Sequence, residues 1–219
     1  METSGLREAR VLSAAAAEPY NAVVFGSTGA VGKEVVRALA ESEKCGSVLA
    51  LVRRLTQVSE WRAGDNDENS KFSKVEVKRI NYDTLETSLP EVQMRGKQAR
   101  HSRGNIQENC DSCAVVFYCL GTTRKDAGSA ADFRKAVDLE YLENVCKLCR
   151  VAGVDHFSLV SSQGASASSP FLYPKTKGQG ETVVSEAGYP HTSIWRPGLL
   201  GRGDRARGVE KMARFLVTP

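Results

Sequence analysis

At 219 residues, 41% apolar and 26% charged, the chain is long enough to bury a real core and, read as α/β, to form one domain. No apolar run approaches the roughly 20 residues of a membrane-spanning helix. The formal charge of +4 suits an anionic cofactor and is too mild to argue for nucleic acid.

The first residues carry Arg7, Arg10 and an alanine run, but also Glu2, Glu8 and Glu18, which a mitochondrial presequence avoids. Residues 1–20 therefore read as a disordered, non-targeting arm, and residues 21–219 as a single domain. Cys45, Cys110, Cys113, Cys119, Cys146 and Cys149 follow no signal peptide. Reduced thiols in a cytoplasmic protein are the expectation.

Residues 21–25 form a β-branched and aromatic run, the first predicted strand. After a glycine-rich turn, Val31, Val35, Val36 and Leu39 recur at helical spacing, which predicts a helix to about residue 43. Residues 48–52 are near-continuously apolar, as in a parallel strand buried on both faces. Residues 61–73 are polar and read as a loop. Residues 75–80 alternate apolar with charged side chains and predict a third strand near an edge; residues 83–89 are a short helix at most. Residues 93–112 hold Arg95, Lys97, Arg100, His101 and Arg103 and read as a solvated insertion, with nucleic-acid binding the less favoured alternative. Residues 114–120 are the most apolar strand, expected to be central. Residues 138–151 place Leu139, Leu142, Val145, Cys146 and Cys149 on one side of a helix. A strand at 156–160, a helix at 173–187, a strand at 192–195 and a helix at 209–216 complete the pattern. Strands alternating with helices predict a doubly wound parallel α/β sheet in three layers.

The turn reads Gly26-Ser27-Thr28-Gly29-Ala30-Val31-Gly32. Between a strand and a helix, such glycines permit a tight turn, close approach of a phosphate, and close helix–strand packing. The helix N-terminus then offers free N–H groups to a pyrophosphate. The competing reading is a plain βα turn. At the end of the second strand an NAD binder places a carboxylate for the ribose; this chain has Arg53 and Arg54, which suit a 2′-phosphate and favour NADP. A pair of solvated surface arginines is the alternative.

Tyr173 and Lys177 stand at i, i+4 and share a helix face. An ammonium beside a phenol favours the phenolate, so Tyr173 is expected to exchange a proton with a carbonyl oxygen, with Lys177 also holding the nicotinamide ribose. Ser161 and Ser162 end the preceding strand, at the edge where open α/β sheets bind ligands. One of them is expected to hydrogen-bond the substrate oxygen.

The ordered set of Gly26-x-x-Gly29-x-x-Gly32, Cys119-Leu-Gly-Thr-Thr-Arg124, Ser161-Ser162-x-Gly164, Tyr173-x-x-x-Lys177 and Arg196-Pro197-Gly198 resembles the atypical short-chain dehydrogenases, most of all the Tat-interacting-protein-like oxidoreductases. The likeness runs from about Asn21 to Leu200. It implies an NADP-binding Rossmann fold with strand order 3-2-1-4-5-6. It also implies that the segment of Leu120, Gly121, Thr122 and Thr123 lines the cofactor, and that the Arg196-Pro197-Gly198-Leu199 segment meets the nicotinamide amide. Ser161 or Ser162, Tyr173 and Lys177 match the catalytic positions. Where the family often has an acidic residue near adenine, this chain has Asn81 followed by Tyr82. The family continues for several tens of residues past the position of Pro219, so a truncated chain or an open substrate site is expected.

Cys110-x-x-Cys113 and Cys146-x-x-Cys149 superficially match a four-thiolate zinc pattern. The preferred reading packs Cys146 and Cys149 as small hydrophobes, with no metal. His101, His156 and His191 have no partner at ligand spacing. The leading expectation is an NADP(H)-dependent oxidoreductase acting on a small carbonyl or alcohol. The alternative is a catalytically silent NADPH-binding regulator acting through protein partners.

Overall fold

The computed structural model describes residues 19–61, 71–82, 84–85, 114–121 and 139–198. Outside them lie residues 1–18 of the arm, the insertion, the helix expected at 209–216, and Asp83, Cys110, Cys113, Thr122, Thr123 and Leu199. The described chain forms strand β1 (Tyr20–Phe25), helix α1 (Ala30–Glu41), and strands β2 (Cys45–Val52), β3 (Val75–Arg79) and β4 (Ala114–Tyr118). Helix α2 (Glu140–Ala152), strand β5 (His156–Val160), helix α3 (Leu172–Glu186) and strand β6 (His191–Trp195) follow. One six-stranded sheet results, in the order β3-β2-β1-β4-β5-β6. Every pairing is parallel. The order reverses between β1 and β4, and a doubly wound sheet opens its ligand crevice there, beyond the carboxyl ends of the strands.

Alternation along the strands builds a core on each side. Val23 and Phe25 join Leu49, Leu51, Val116 and Tyr118 beneath α2 and α3. Ala22 and Val24 join Val48, Ala50 and Val52 beneath α1. Val23, Val24 and Phe25 are fully buried, each contributing about 1.5–3 kcal/mol relative to exposure. Cys146 and Cys149 pack into the α2 core, as the small-hydrophobe reading expects. Burial pushes the Cys146 thiol up to about 12, which keeps it from acting as a thiolate at neutral pH.

Residues 62–70 of the expected loop at 61–73 lie outside the described residues, and its two ends differ from the expectation. Val58–Trp61 and Lys71–Lys74 are single 3-10 turns, and Trp61 and Phe72 are buried with the α1 core. One aromatic at each end of a polar stretch has no periodicity to betray it. Among the described residues no helix is long and apolar enough to cross a membrane.

Candidate functional site

A cleft of about 770 Å³ opens at the carboxyl ends of β1, β2 and β4. Gly26, Thr28 and Gly29 form one wall, the segment from Leu51 to Thr56 another, and Cys119, Leu120 and Gly121 a third. Gly26 has φ +75, and a Cβ on it would stand 2.8 Å from the Leu120 nitrogen. A Cβ on Gly32 would stand 2.1 Å from the Gly26 oxygen. Neither position admits a side chain. Gly29 donates its N–H to the Gly26 carbonyl at 3.0 Å and opens α1 in an extended conformation, with no side-chain cap and no acidic residue in the first turn. Among the described residues no side chain caps the first N–H groups of α1 and no acidic residue stands in its first turn, a setting that favours an anion.

The turn is held from beneath. Ser27 is fully buried; its hydroxyl donates to the Leu51 carbonyl at 3.1 Å. Its own carbonyl accepts from Trp61 Nε1 at 2.8 Å. Arg37 Nε in turn donates to the Trp61 carbonyl at 2.6 Å. Tyr82 is buried and stacks on Tyr141 with centroids 5.1 Å apart. Burial pushes its phenol up, against weaker opposing pulls from a hydrogen bond with the Gly26 backbone and from Arg53. The Ser27 side chain, expected at the cofactor, therefore serves as a strut, and Tyr82 both lines the cleft and braces Gly26. Ala30 and Val31 open α1 and lie outside the cleft lining.

Arg53 and Arg54 line the cleft, and so does Arg79, which the sequence reading missed. Its signal was hidden in the alternating charges of β3. Register pairs Arg79 with Val52, the residue before Arg53, so the parallel ladder brings both arginines to the same end of the sheet. Three guanidinium groups at one mouth repel unless an anion joins them. Asn81 is exposed and does not line the cleft. Cys119 does, but burial holds its thiol up to about 12, so it is no nucleophile at neutral pH.

The second half of the site lies past β5 and β6. The ladder continues beyond both strands: Ser161 donates its N–H to the Trp195 carbonyl at 2.7 Å, and Gln163 to the Pro197 carbonyl at 3.0 Å. Gly198 lies against Gln163, where a Cβ would come within 3.1 Å of the side-chain oxygen. The two serines part company here. Ser161 is buried and its hydroxyl donates to Glu181 at 2.5 Å. The Ser162 Oγ is buried with no hydrogen-bond partner among the described residues. On α3, Lys177 is buried and Tyr173 is 41% exposed. Lys177 and Ser161 line one small gap with Tyr118 and Gly180.

Arg196 was expected at the cofactor. The structure places its guanidinium on Glu181 instead, Nε to Oε1 at 2.9 Å and Nη2 to Oε2 at 2.6 Å. Burial works to raise the Glu181 carboxyl, yet Arg196 and Ser161 together hold it below its ordinary value. Glu181 was also missed, although it continues the i, i+4 spacing of Tyr173 and Lys177. Gly178 was missed for a different reason. It lets α3 approach the loop, since a Cβ there would meet the Ala167 nitrogen at 2.2 Å, a contact remote in sequence.

The glycine cradle excludes side chains, the arginines supply charge, and the buried Ser162 hydroxyl has no hydrogen-bond partner among the described residues. No family model matches the chain. Protein FMP52 of Debaryomyces hansenii, named mitochondrial, is 33% identical over 190 residues, covering 86% of this chain and 71% of that protein. Protein HTATIP2 of Rattus norvegicus is 29% identical over 177 residues, covering 81% of this chain and 61% of that protein. Among solved structures, the Bordetella bronchiseptica enzyme WbmG in complex with NAD shares the fold with a TM-score of 0.57 at 14% identity, over 93% of this chain and 61% of that one. A short-chain dehydrogenase/reductase superfamily protein from Agrobacterium tumefaciens with bound NAD gives 0.54 at 17% identity, over 81% of this chain and 48% of that one.

These relatives overturn one expectation. FMP52 proteins of three yeasts are named mitochondrial, against the cytoplasmic location read from the cysteines without a signal peptide and against the non-targeting reading of the first residues.

Proposed function

We propose, given that the chain belongs to the family of FMP52 and HTATIP2, atypical short-chain dehydrogenases with an NAD(P)-binding Rossmann fold, that it is an NADP(H)-dependent oxidoreductase of a small carbonyl or alcohol. The observation that carries the reading is the Ser162 hydroxyl, buried and without a protein partner among the described residues. A buried donor left unsatisfied costs about 1–3 kcal/mol. A substrate oxygen at this edge offsets that cost.

In this reading the α1 N-terminus holds the pyrophosphate, and Arg53, Arg54 and Arg79 hold the 2′-phosphate. The cleft also takes the adenosine half between the β2 end and the Leu120–Gly121 segment. Lys177 holds the nicotinamide ribose. A nicotinamide cofactor, when bound, supplies hydride to the carbonyl carbon and is left oxidised. Tyr173 gives its phenolic proton to the carbonyl oxygen, so that the product is the alcohol. Ser162 donates a hydrogen bond to that same oxygen and stabilises the charge that develops on it. Partial exposure of Tyr173 lets solvent return the proton. Oxidation of an alcohol runs through the same groups in reverse. Steady-state reduction of a carbonyl panel with NADPH tests this; a wild type with no turnover over the whole panel sinks it.

One observation favours the regulator reading. Phe171 and Trp195, flanking the proposed substrate edge in sequence, are 73% and 61% exposed, as suits a face that meets a protein. NADPH binding without turnover, together with capture of a protein partner that Phe171→Ala abolishes, is the result this reading requires.

A further inference from the structure

We propose that Glu181 is a positioning residue: its carboxylate clamps the ends of β5 and β6 onto α3 and thereby sets Ser162 against Tyr173 and Lys177. The inference rests on the oxidoreductase reading and assigns a role to a residue that touches neither substrate nor cofactor.

The geometry is that of a fully used carboxylate. Oε1 accepts from Ser161 Oγ and from Arg196 Nε, and Oε2 accepts from Arg196 Nη2. The Glu181 side chain is only 9% exposed. A carboxylate so enclosed is tolerable only when paired and hydrogen-bonded, and breaking one partner leaves the other stranded. The fork geometry of arginine adds direction to the attraction. The three bonds therefore fix position as well as charge.

Each contact reaches a different element that carries a proposed site residue. Ser161 immediately precedes Ser162. Arg196 opens the Arg196-Pro197-Gly198 segment. Glu181 sits two helical turns after Tyr173 and one after Lys177, on the same face. The backbone completes the clamp, because the N–H groups of Ser161 and Gln163 are tied to the carbonyls of Trp195 and Pro197. With both neighbours held and the Ser161 side chain fastened, the direction of the Ser162 side chain is set. The groups facing Glu181 are Arg196 from the β6 end and Ser161 from the β5 end, with Lys177 one turn away on its own helix, lining with Ser161 the gap beside Tyr118.

Glu181→Gln keeps the shape and removes the charge. Two readouts decide, using phenanthrenequinone as the probe substrate with NADPH, and amide hydrogen exchange on the protein alone. In the variant, kcat is expected to fall at least about tenfold while the quinone KM and the NADPH Kd stay within about twofold, as for lost alignment rather than lost binding. Exchange at the Ser161 and Gln163 amides is expected to accelerate at least about tenfold, with β1 and β2 unchanged, as for a local opening. A folded variant whose kcat stays within about twofold of wild type overturns the inference, as does unchanged exchange at those two amides. Should Glu181→Gln fail to fold, Arg196→Lys decides by the same criteria. That side chain is 57% exposed, and lysine keeps the charge but loses the fork; about threefold in kcat is expected. A wild type that reduces no carbonyl overturns the oxidoreductase reading and this inference with it; an active wild type with an undiminished variant overturns the inference alone.

Discussion

At the β1 turn the protein satisfies itself, whereas at the β5 edge it leaves one atom waiting. Ser27 donates its hydroxyl to the Leu51 carbonyl, its own carbonyl accepts from Trp61 Nε1, and Tyr82 braces the Gly26 backbone. What remains for a ligand there is main-chain N–H groups and three exposed guanidiniums. Past β5, Ser161 is likewise spent on Glu181, but the buried Oγ of its neighbour Ser162 has no hydrogen-bond partner among the described residues. The lesson is that binding and chemistry ask for different things. A phosphate cradle needs rigidity and shape. A reacting group must hold one bond in reserve for an oxygen that is not always there.

That contrast can be broken or sharpened in five ways. The largest effect is expected from Tyr173→Phe, which removes the proton donor: kcat should fall by about 10²–10⁴ while the NADPH Kd, by fluorescence titration, stays put. Equal losses in both would merge the two regions into one. Gly32→Ala should act in the opposite sense. Its Cβ meets the Gly26 oxygen at 2.1 Å, so urea unfolding should show a loss of about 3 kcal/mol or more, with NADPH binding lost in whatever protein still folds.

Arg53→Ala combined with Arg54→Ala should weaken NADPH by about 10–100-fold, given roughly 1.5–3 kcal/mol for bonds to charged groups, and leave NADH nearly unchanged. If NADH binds wild type as tightly as NADPH, the 2′-phosphate assignment fails. Trp61→Phe strips a strut without touching the cleft and leaves the Ser27 carbonyl short of a donor, for a loss of about 1–3 kcal/mol in stability. Unchanged stability there would mean the turn is held by its glycines alone.

The smallest effect concerns acid. The folded-state value of Glu181 lies below its ordinary 4.5. Its contribution is therefore present above the unfolded value and disappears as pH falls through the folded one. Melting curves of wild type and Glu181→Gln should accordingly differ at neutral pH and converge below about 4.5. A constant difference would place the effect of Glu181 in packing rather than charge.

Much of the first region was legible along the chain. Apolar runs and periodicity placed β1, α1, β2 and β4 to within a few residues, because burial on both faces leaves a continuous apolar signature. The glycine turn was legible because its demand is steric and local. Trp61 and Arg79 were not. Trp61 looked like the start of a polar loop, and its indole reaches a carbonyl 34 positions away. Arg79 looked like the charged half of an alternating edge strand, and only the pairing of β3 with β2 brings it to the end of the sheet where Arg53 lines the cleft. At the second region the spacing of Tyr173 and Lys177 was visible, while the choice between Ser161 and Ser162 was not: both are serines ending one strand, and only their partners distinguish them.

The sequence by itself determined the alternation of strands and helices, the positions where no side chain fits, and the residue types available for a phosphate and a proton. These are properties of neighbours along the chain. The tertiary structure alone decided which of those residues are struts and which are left to act. That choice depends on hydrogen bonds across the sheet, made or withheld by groups that the chain brings together only when it folds.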